Sequence, residues 1–215
     1  MCSKPTVRPC IAPIQFLCHD YGPVHLPSLD IDGGTVTFFE RHGTRYLITA
    51  LHVWDGILAL SEKNAGRKHG AFIYAGKFLP LTKDEAMILR DPQLDVIVMQ
   101  PRWLQAGMEG FDFYDGSVAR VSGGETVQTW GYPGARRTRI SSGVTCSMEE
   151  ISGKTTEPCN DHFKFTTTAT YDLGGFSGAP VFRDGTLVGL VSEASSSLGI
   201  VTCCDWLALM SKVGM

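Results

Sequence analysis

Gly174-Gly175-Phe176-Ser177-Gly178-Ala179-Pro180 is the stretch of this 215-residue chain that carries most information about its fold and chemistry. A serine set among glycines can present its hydroxyl without crowding from neighbouring side chains. Backbone N–H groups beside it can converge on one point and stabilise a developing oxyanion. A serine hydroxyl alone is a weak nucleophile at neutral pH. It needs a base within hydrogen-bond reach and an acid that orients the base.

The candidate base is His52, in the segment Leu47-Ile48-Thr49-Ala50-Leu51-His52-Val53-Trp54. It stands at the end of an apolar strand-like run, where a side chain can leave the core and reach a cleft. The other histidines lack such a context; they are His19, His25, His42, His69 and His162.

The candidate acid is Asp95, which opens the apolar run Val96-Ile97-Val98-Met99. A carboxylate in that position is partly buried and stays ionised only with a partner, which a histidine N–H can provide. Asp84 and Asp91 are nearby competitors, but both are interpreted as solvated loop residues. Asp55 is close to His52 in sequence and is a candidate cap of a helical turn.

Short runs rich in Val, Ile, Thr, Phe and Tyr, bounded by turn residues, make up most of the chain. This pattern is typical of the strands of a sandwich or barrel. Two segments favour helix: a turn within residues 49–60, and Asp205 to Val213 with Asp205 as N-cap. The sequence therefore predicts an all-β fold closed by a short C-terminal helix.

Pro and Gly residues between Gln100 and Ser117 indicate a boundary between two halves. Each half is predicted to be a barrel of about six strands. The predicted organisation is an extended proline-rich segment (1–30), an N-terminal barrel (31–108), a C-terminal barrel (109–202) and a helical segment (203–215).

Composition excludes several classes of function. Lys and Arg number 19 against 22 Asp and Glu, so the net charge of -3 gives no general nucleic-acid surface. The segment Arg136-Arg137-Thr138-Arg139 is a predicted basic hairpin tip, but three charges make few phosphate contacts. No apolar run approaches the roughly 18 residues of a membrane helix. The first 20 residues lack the apolar core of a secretory signal.

The seven cysteines, among them the adjacent Cys203 and Cys204, are odd in number and include no Cys-x-x-Cys pair. This usage favours reduced thiols in a cytosolic compartment, some of them packed as small apolar groups. Cys10 with Cys18-His19 is the best metal candidate and a weak one. We expect neither a metal nor an organic cofactor.

The three motifs, in this order, resemble the chymotrypsin-like serine proteases. The resemblance covers about residues 33–213. It implies two six-stranded antiparallel β-barrels and a catalytic triad of His52, Asp95 and Ser177. It also implies an oxyanion hole formed by the backbone N–H groups of Gly175 and Ser177.

The branch of the family is similar to polyprotein-processing proteases of small positive-strand RNA viruses. Val53 and Leu173 stand where secreted relatives carry cysteines, and Phe176 replaces the aspartate that forms their buried N-terminal ion pair. The sobemovirus, polerovirus and barnavirus group is the first match and astroviruses the second. A polypeptide substrate (a viral polyprotein, cut in cis or in trans) is implied, with neighbouring polyprotein segments as partners. The implied location is the host cytoplasm, with any membrane association through polyprotein parts outside this chain.

The resemblance also implies a substrate pocket with three walls: Tyr171 and Asp172, then Ser192, Glu193 and Ala194, then Gly199. The second wall has no histidine, unlike enzymes that prefer Gln or Glu. Asp172 could attract a basic P1 residue; alternatively it faces solvent or bonds a loop amide while Tyr171 fills the pocket. His162 could reach the pocket from an adjoining strand.

Two rival hypotheses stay open. One is a host or bacterial stress protease of the same fold. The other is a binding module whose triad is inert after folding, as in self-cleaving capsid proteases whose C-terminal strand stays in the pocket. Turnover of an added peptide distinguishes the second from an enzyme.

Overall fold

Strands dominate the architecture. A computed structural model of the chain describes residues 10–19, 33–63, 68–74, 78–81, 86–105, 112–133, 137–140 and 143–214. The strands are β1 (Ile11–His19), β2 (Gly33–Arg41), β3 (Thr44–Ala50), β4 (Lys68–Tyr74), β5 (Phe78–Leu81), β6 (Ala86–Asp91), β7 (Val96–Gln100), β8 (Thr126–Gly131), β9 (Arg137–Ile140), β10 (Gly143–Cys146), β11 (Glu149–Thr155), β12 (His162–Thr167), β13 (Pro180–Arg183), β14 (Thr186–Ser195) and β15 (Ile200–Asp205). The helices are α1 (Leu51–Lys63), α2 (Arg102–Gln105) and α3 (Trp206–Val213).

The N-terminal half is an antiparallel sheet of seven strands in the order β5-β4-β1-β2-β3-β7-β6. The sheet has one strand more than the roughly six that the sequence predicts. Strand β1, which lies within the predicted extended segment 1–30, joins it by pairing with both β2 and β4. Pro13 has no N–H to donate, but it lies opposite Thr35 of β2, and the β4 pairing begins only at Ile14. The proline is therefore compatible with a strand inside the sheet.

The C-terminal half is a closed barrel of six strands in the order β11-β12-β15-β14-β13-β8, so the predicted all-β class is confirmed. Buried and exposed residues alternate along β8 and β12, as expected when one face of each strand lines a core. Strand β15 continues to Asp205, beyond the predicted start of the helical segment at residue 203. It does so because Cys203 packs inside the barrel while Cys204 packs between the two halves.

The C-terminal helix α3 joins the two halves. The carboxylate of Asp205 accepts a hydrogen bond from the N–H of Ala208 at 2.8 Å, which confirms the predicted N-cap. Gly214 ends the helix in the left-handed conformation that favours glycine. The fully buried Trp206 meets Phe39 of β2 edge-on, with 5.1 Å between ring centroids. Helix α3 therefore packs against strand β14 of the C-terminal barrel and against the N-terminal sheet.

The basic segment predicted at a hairpin tip lies partly in a strand. Residues Arg137–Ile140 form β9, which pairs with β10 as a two-stranded ribbon, and Arg136 lies outside the described residues. Within the part of the chain that the structure describes, no helix is long and apolar enough to cross a membrane.

Candidate active site

His52 is the second residue of helix α1, immediately after strand β3. Its ring Nδ1 lies 2.6 Å from Oδ2 of Asp95, and its backbone N–H donates to Oδ1 of the same carboxylate at 2.9 Å. The His52 side chain is 53% exposed and the Asp95 side chain 29%. The His52 ring is thus oriented by Asp95 and about half exposed, as a base acting on an external substrate requires.

Asp95 also holds the start of the helix that carries His52. The first N–H groups of a helix have no partner within it. The Asp95 carbonyl oxygen accepts from the N–H of Leu51 at 2.9 Å, next to the carboxylate bond with the His52 N–H. Asp95 makes these contacts with a φ of 54°, in the left-handed region that non-glycine residues seldom occupy. One strained residue therefore caps helix α1 and orients the ring.

Ser177 lies in the second of two successive tight turns. The N–H of Phe176 donates to the carbonyl of Leu173 at 3.2 Å, and that of Ala179 donates to the carbonyl of Phe176 at 2.8 Å. The Phe176 ring is fully buried in the core of the C-terminal barrel. The Phe176 ring therefore anchors the loop to the barrel core, while the neighbouring Ser177 is only half-buried.

Strand β2 of the N-terminal sheet binds this loop directly. The N–H of Thr35 donates to the carbonyl of Ser177 at 2.9 Å, and its hydroxyl donates to the carbonyl of Gly175 at 2.8 Å. Two residues along the strand, the hydroxyl of Thr37 donates to the carbonyl of Gly178, also at 2.8 Å. The serine loop of one half is thus bonded to the sheet of the other.

The same threonine connects to the strand that leads into His52. The hydroxyl of Thr49, on β3, donates to the carbonyl of Thr35 at 2.8 Å. Thr35, Thr37 and Thr49 are fully buried. The sequence alone indicates no role for them, because hydroxyl residues that recur inside apolar strands do not reveal their partners.

Gly34 allows the two halves to meet at the site. A Cβ there would lie 2.7 Å from the Ser177 carbonyl oxygen and 2.9 Å from Cγ2 of Val53, the residue after His52. These approaches are closer than real Cβ atoms tolerate. Ser177 and the start of helix α1 therefore both lie against the space that a Gly34 side chain would fill, which brings the serine and histidine segments close together.

The structure bears on the two interpretations of Asp172. Its Oδ1 accepts hydrogen bonds from the N–H of Gly174 at 2.9 Å and from the Ser196 hydroxyl at 3.0 Å. The Ser196 hydroxyl in turn accepts from the N–H of Leu173 at 2.8 Å. Asp172 thus bonds a loop amide, one of the two predicted alternatives, and holds the loop that precedes Ser177.

The second and third predicted walls lie on β14 and at the turn before β15. Ser192 lies where the β14–β15 register shifts. Its side chain is 4% exposed and its hydroxyl donates to the carbonyl of Thr202. Glu193 is exposed and Ala194 is half-buried. Gly199 has a φ of 60°.

His162 lies far from the third wall along its own strand. It is opposite Cys204 at the first residue of β12, whereas Gly199 bonds to Thr167 at the last. The register therefore separates His162 from Gly199 by the length of that strand. Tyr171 lies half-buried against the core of the C-terminal barrel.

Two of the competing acids have other partners. Asp55 lies inside helix α1 rather than at its cap, and both of its carboxylate oxygens accept from Arg90. The prediction that Asp91 is a solvated loop residue is wrong: its side chain is 12% exposed and bonds Lys212 at 2.6 Å. Asp84 lies outside the described residues. In the described part of the chain, no three His, Cys, Asp or Glu side chains gather to hold a metal ion.

The sequence matches the family described as the trypsin-like peptidase domain, over residues 34–190. The chain belongs to the trypsin-like peptidase family. The matched span includes the histidine, aspartate and serine described above. No curated protein matches the chain.

Solved structures of bacterial and viral proteases share the fold of this trypsin-like peptidase. The active form of the Rv3671c protease from M. tuberculosis superposes with a TM-score of 0.60 at 18% identity, covering 98% of this chain and 85% of that one. The protease of tobacco vein mottling virus gives 0.57 at 12% identity, covering 96% and 81%. The serine protease domain of the Sesbania mosaic virus polyprotein gives 0.54 at 14% identity, covering 95% and 92%.

Proposed function

We propose that this trypsin-like peptidase is a serine endopeptidase that cleaves a viral polyprotein at specific sites through an acyl-enzyme. The observation that carries the proposal is the double hydrogen bond from His52 to Asp95, set beside a serine loop that β2 holds in place. A base oriented by an acid, next to a serine in a glycine-rich turn, is the arrangement that activates a hydroxyl for attack on a carbonyl.

In the proposed mechanism, Ser177 Oγ attacks the scissile carbonyl while His52 accepts its proton. Asp95 holds the imidazole in the tautomer whose Nδ1 carries hydrogen and stabilises the charged ring. His52 then protonates the leaving amine, and water, deprotonated by His52, releases the acyl group from Ser177.

The N–H groups of Gly175 and Ser177 are the proposed donors to the oxyanion. Both residues have their carbonyl oxygens bonded to Thr35, which restrains the loop. Gly175 has a φ of 99°, which only glycine adopts without strain. Donors that are fixed before reaction stabilise the developing charge without reorganising.

The viral assignment rests on departures from secreted proteases. Phe176 is buried where those enzymes carry an acid. Cys10, Cys203 and Cys204 are buried free thiols, which fits a reducing compartment. We place the protein in the host cytoplasm, acting on a polypeptide substrate with neighbouring polyprotein segments as partners.

The position of helix α3 favours an active enzyme over a binding module whose triad is inert after folding. Helix α3 buries Trp206 and Leu209 in the core shared with the N-terminal sheet, so these residues do not occupy a substrate cleft. We therefore expect turnover of an added peptide, whereas a self-inhibited module would give none.

The deciding experiment is intact-mass measurement after exposure to an active-site fluorophosphonate. We expect wild type to gain one adduct, Ser177→Ala to gain none, and the exposed-serine control Ser152→Ala to label like wild type. Ser177→Ala and His52→Ala should each lower kcat by roughly 10⁴-fold or more. Labelling of Ser177→Ala, or peptide cleavage by it at the wild-type rate, would contradict the mechanism.

A further inference from the structure

We infer that Asp91 and Lys212 are a positioning pair, through which helix α3 holds the turn that presents Asp95 to His52. The inference deepens the proposed function and rests on it. It assigns to the C-terminal helix a part in catalysis, although none of its residues belongs to the triad.

The turn in question joins β6 to β7. Strand β6 ends at Asp91 and β7 begins at Val96, with Asp95 the last residue between them. Asp91 Oδ1 accepts hydrogen bonds from the N–H of Gln93 at 2.8 Å and of Leu94 at 2.9 Å. The Asp91 side chain therefore sets the path of the backbone that leads directly into Asp95.

The second oxygen of Asp91 is held from the other end of the chain. Lys212 Nζ lies 2.6 Å from Asp91 Oδ2, and the two side chains are 31% and 12% exposed. Ion pairs that are open to solvent contribute little to stability, but partial burial reduces the screening of this one. Both oxygens of Asp91 are thus engaged, one by the turn and one by helix α3.

Lys212 can act as a fixed point because helix α3 is itself immobilised. The Asp205 side chain caps its start, and Trp206 is fully buried against Phe39. Lys212 lies in the last turn, where a cation also complements the helix dipole. The ammonium is therefore presented to Asp91 by a packed helix rather than by a flexible segment.

Asp95 needs such support because of its backbone. Its φ of 54° is unfavourable for a non-glycine residue and persists only where the surroundings hold it. The preceding residue, Arg90, forms an ion pair with Asp55 of helix α1, and these two side chains are more exposed, at 53% and 41%. The Asp91–Lys212 pair is the more sheltered of the two contacts that fix this end of β6.

The test compares Lys212→Met, Lys212→Arg and Asp91→Asn with wild type. Arg183→Met is the matched control, since Arg183 is 27% exposed and its ion pair with Glu125 lies in the C-terminal barrel. We expect Lys212→Met and Asp91→Asn to lower kcat about 10-fold at unchanged KM, because small misplacements of catalytic groups reduce rate steeply. Lys212→Arg should restore most of kcat, and Arg183→Met should leave it unchanged.

The second readout is the downfield proton NMR resonance of the His52 Nδ1–H, assigned by its loss in His52→Ala. We expect this resonance to shift or broaden in Lys212→Met and to stay in place in Arg183→Met. The two variants are compared under conditions in which each lies equally far below its own melting temperature. A Lys212→Met protein with wild-type kcat and an unmoved resonance would overturn the inference. Failure of the proposed function is distinguishable: wild type would then not react with a fluorophosphonate, whereas the resonance would still report the effect of Lys212 on the His52–Asp95 bond.

Discussion

The backbone N–H of Thr35 donates a hydrogen bond to the carbonyl oxygen of Ser177, with 2.9 Å between the two atoms. Thr35 belongs to the N-terminal sheet and Ser177 to the loop before β13 of the C-terminal barrel. The Thr35 hydroxyl adds a second bond, to Gly175 of the same loop. The position of the candidate nucleophile relative to the candidate base is thus restrained by hydrogen bonds between the two halves.

Removing the Thr35 hydroxyl should weaken both folding and catalysis. Thr35→Val keeps the shape of the side chain but removes the hydroxyl that donates to the Gly175 carbonyl and accepts from the Tyr132 N–H. An unsatisfied buried polar group costs about 1–3 kcal/mol of the free energy of unfolding. We expect such a loss in urea unfolding, with a fall in kcat that exceeds any change in KM.

The matched control for this prediction is Thr155→Val. Thr155 is also buried and its hydroxyl also bonds backbone carbonyls, at Ser122 and Glu125, away from the serine loop. It should lose similar stability while retaining kcat. Equal effects of both variants on kcat would show that the Thr35 bonds serve stability alone.

Asp95 is expected to respond differently to two substitutions. Asp95→Asn retains an oxygen for the His52 backbone N–H but offers an amide N–H₂ to Nδ1, which disfavours the productive tautomer. We expect kcat to fall by roughly 10³- to 10⁴-fold with little loss of stability. Asp95→Ala should lose as much activity and, in addition, about 1 kcal/mol of unfolding free energy because helix α1 loses a cap. Steady-state kinetics and thermal melting measure the two effects; equal melting temperatures for both variants would contradict the capping role.

Gly178 should tolerate no side chain. Its φ is 90°, and an added Cβ would overlap the carbonyl oxygen of Thr35 and the hydroxyl of Thr49. Gly124 has a similar φ of 79° with no atom within 4 Å of an added Cβ, so it isolates the cost of backbone strain. We expect Gly124→Ala to cost about 1–2 kcal/mol of unfolding free energy and Gly178→Ala distinctly more. Equal losses in urea unfolding would mean that the loop can move away from β2.

The charge of Asp172 is expected to have little influence on substrate choice. Asp172→Asn keeps an oxygen for Gly174 and Ser196 while removing the charge. The P1 profile from a peptide library should therefore match wild type. Asp172→Ala removes the brace and should lower kcat for all substrates alike. A selective loss of Arg and Lys peptides in Asp172→Asn would instead establish Asp172 as a P1 recognition group.

The stability contributed by Asp91 should depend on pH. Burial acts to raise the pKa of Asp91, but the Lys212 ammonium and the N–H groups of Leu94 and Gln93 outweigh it, and the pKa lies below its ordinary value. A lowered folded-state pKa stabilises the protein above the unfolded value, near pH 4, and this contribution is lost as pH falls through the folded value. The difference in unfolding free energy between wild type and Asp91→Asn should therefore shrink on acidification below about pH 4. A difference that is constant from pH 7 to pH 2.5 would contradict this linkage.

Local sequence patterns determined the all-β class, the helix capped by Asp205 and the candidate residues His52, Asp95 and Ser177. Each of these features depends on neighbours within a few positions: an apolar run that ends at a polar residue, a glycine-rich turn, or a cap before an amphipathic segment. Such local preferences are legible without knowing what the segment packs against.

Tertiary structure alone decided which distant groups hold those residues. Thr35 bonds a carbonyl 140 residues away, and Lys212 bonds an acid 121 residues away that the sequence presented as solvated. Strand β1 likewise became part of the sheet through its pairing with β2 and β4, although the prolines of residues 1–30 favoured an extended segment. Hydrogen bonds and ion pairs across such separations leave no periodic or compositional trace, because either partner alone is an ordinary threonine, lysine or aspartate. Their effect exists only once the two halves of the chain have packed together.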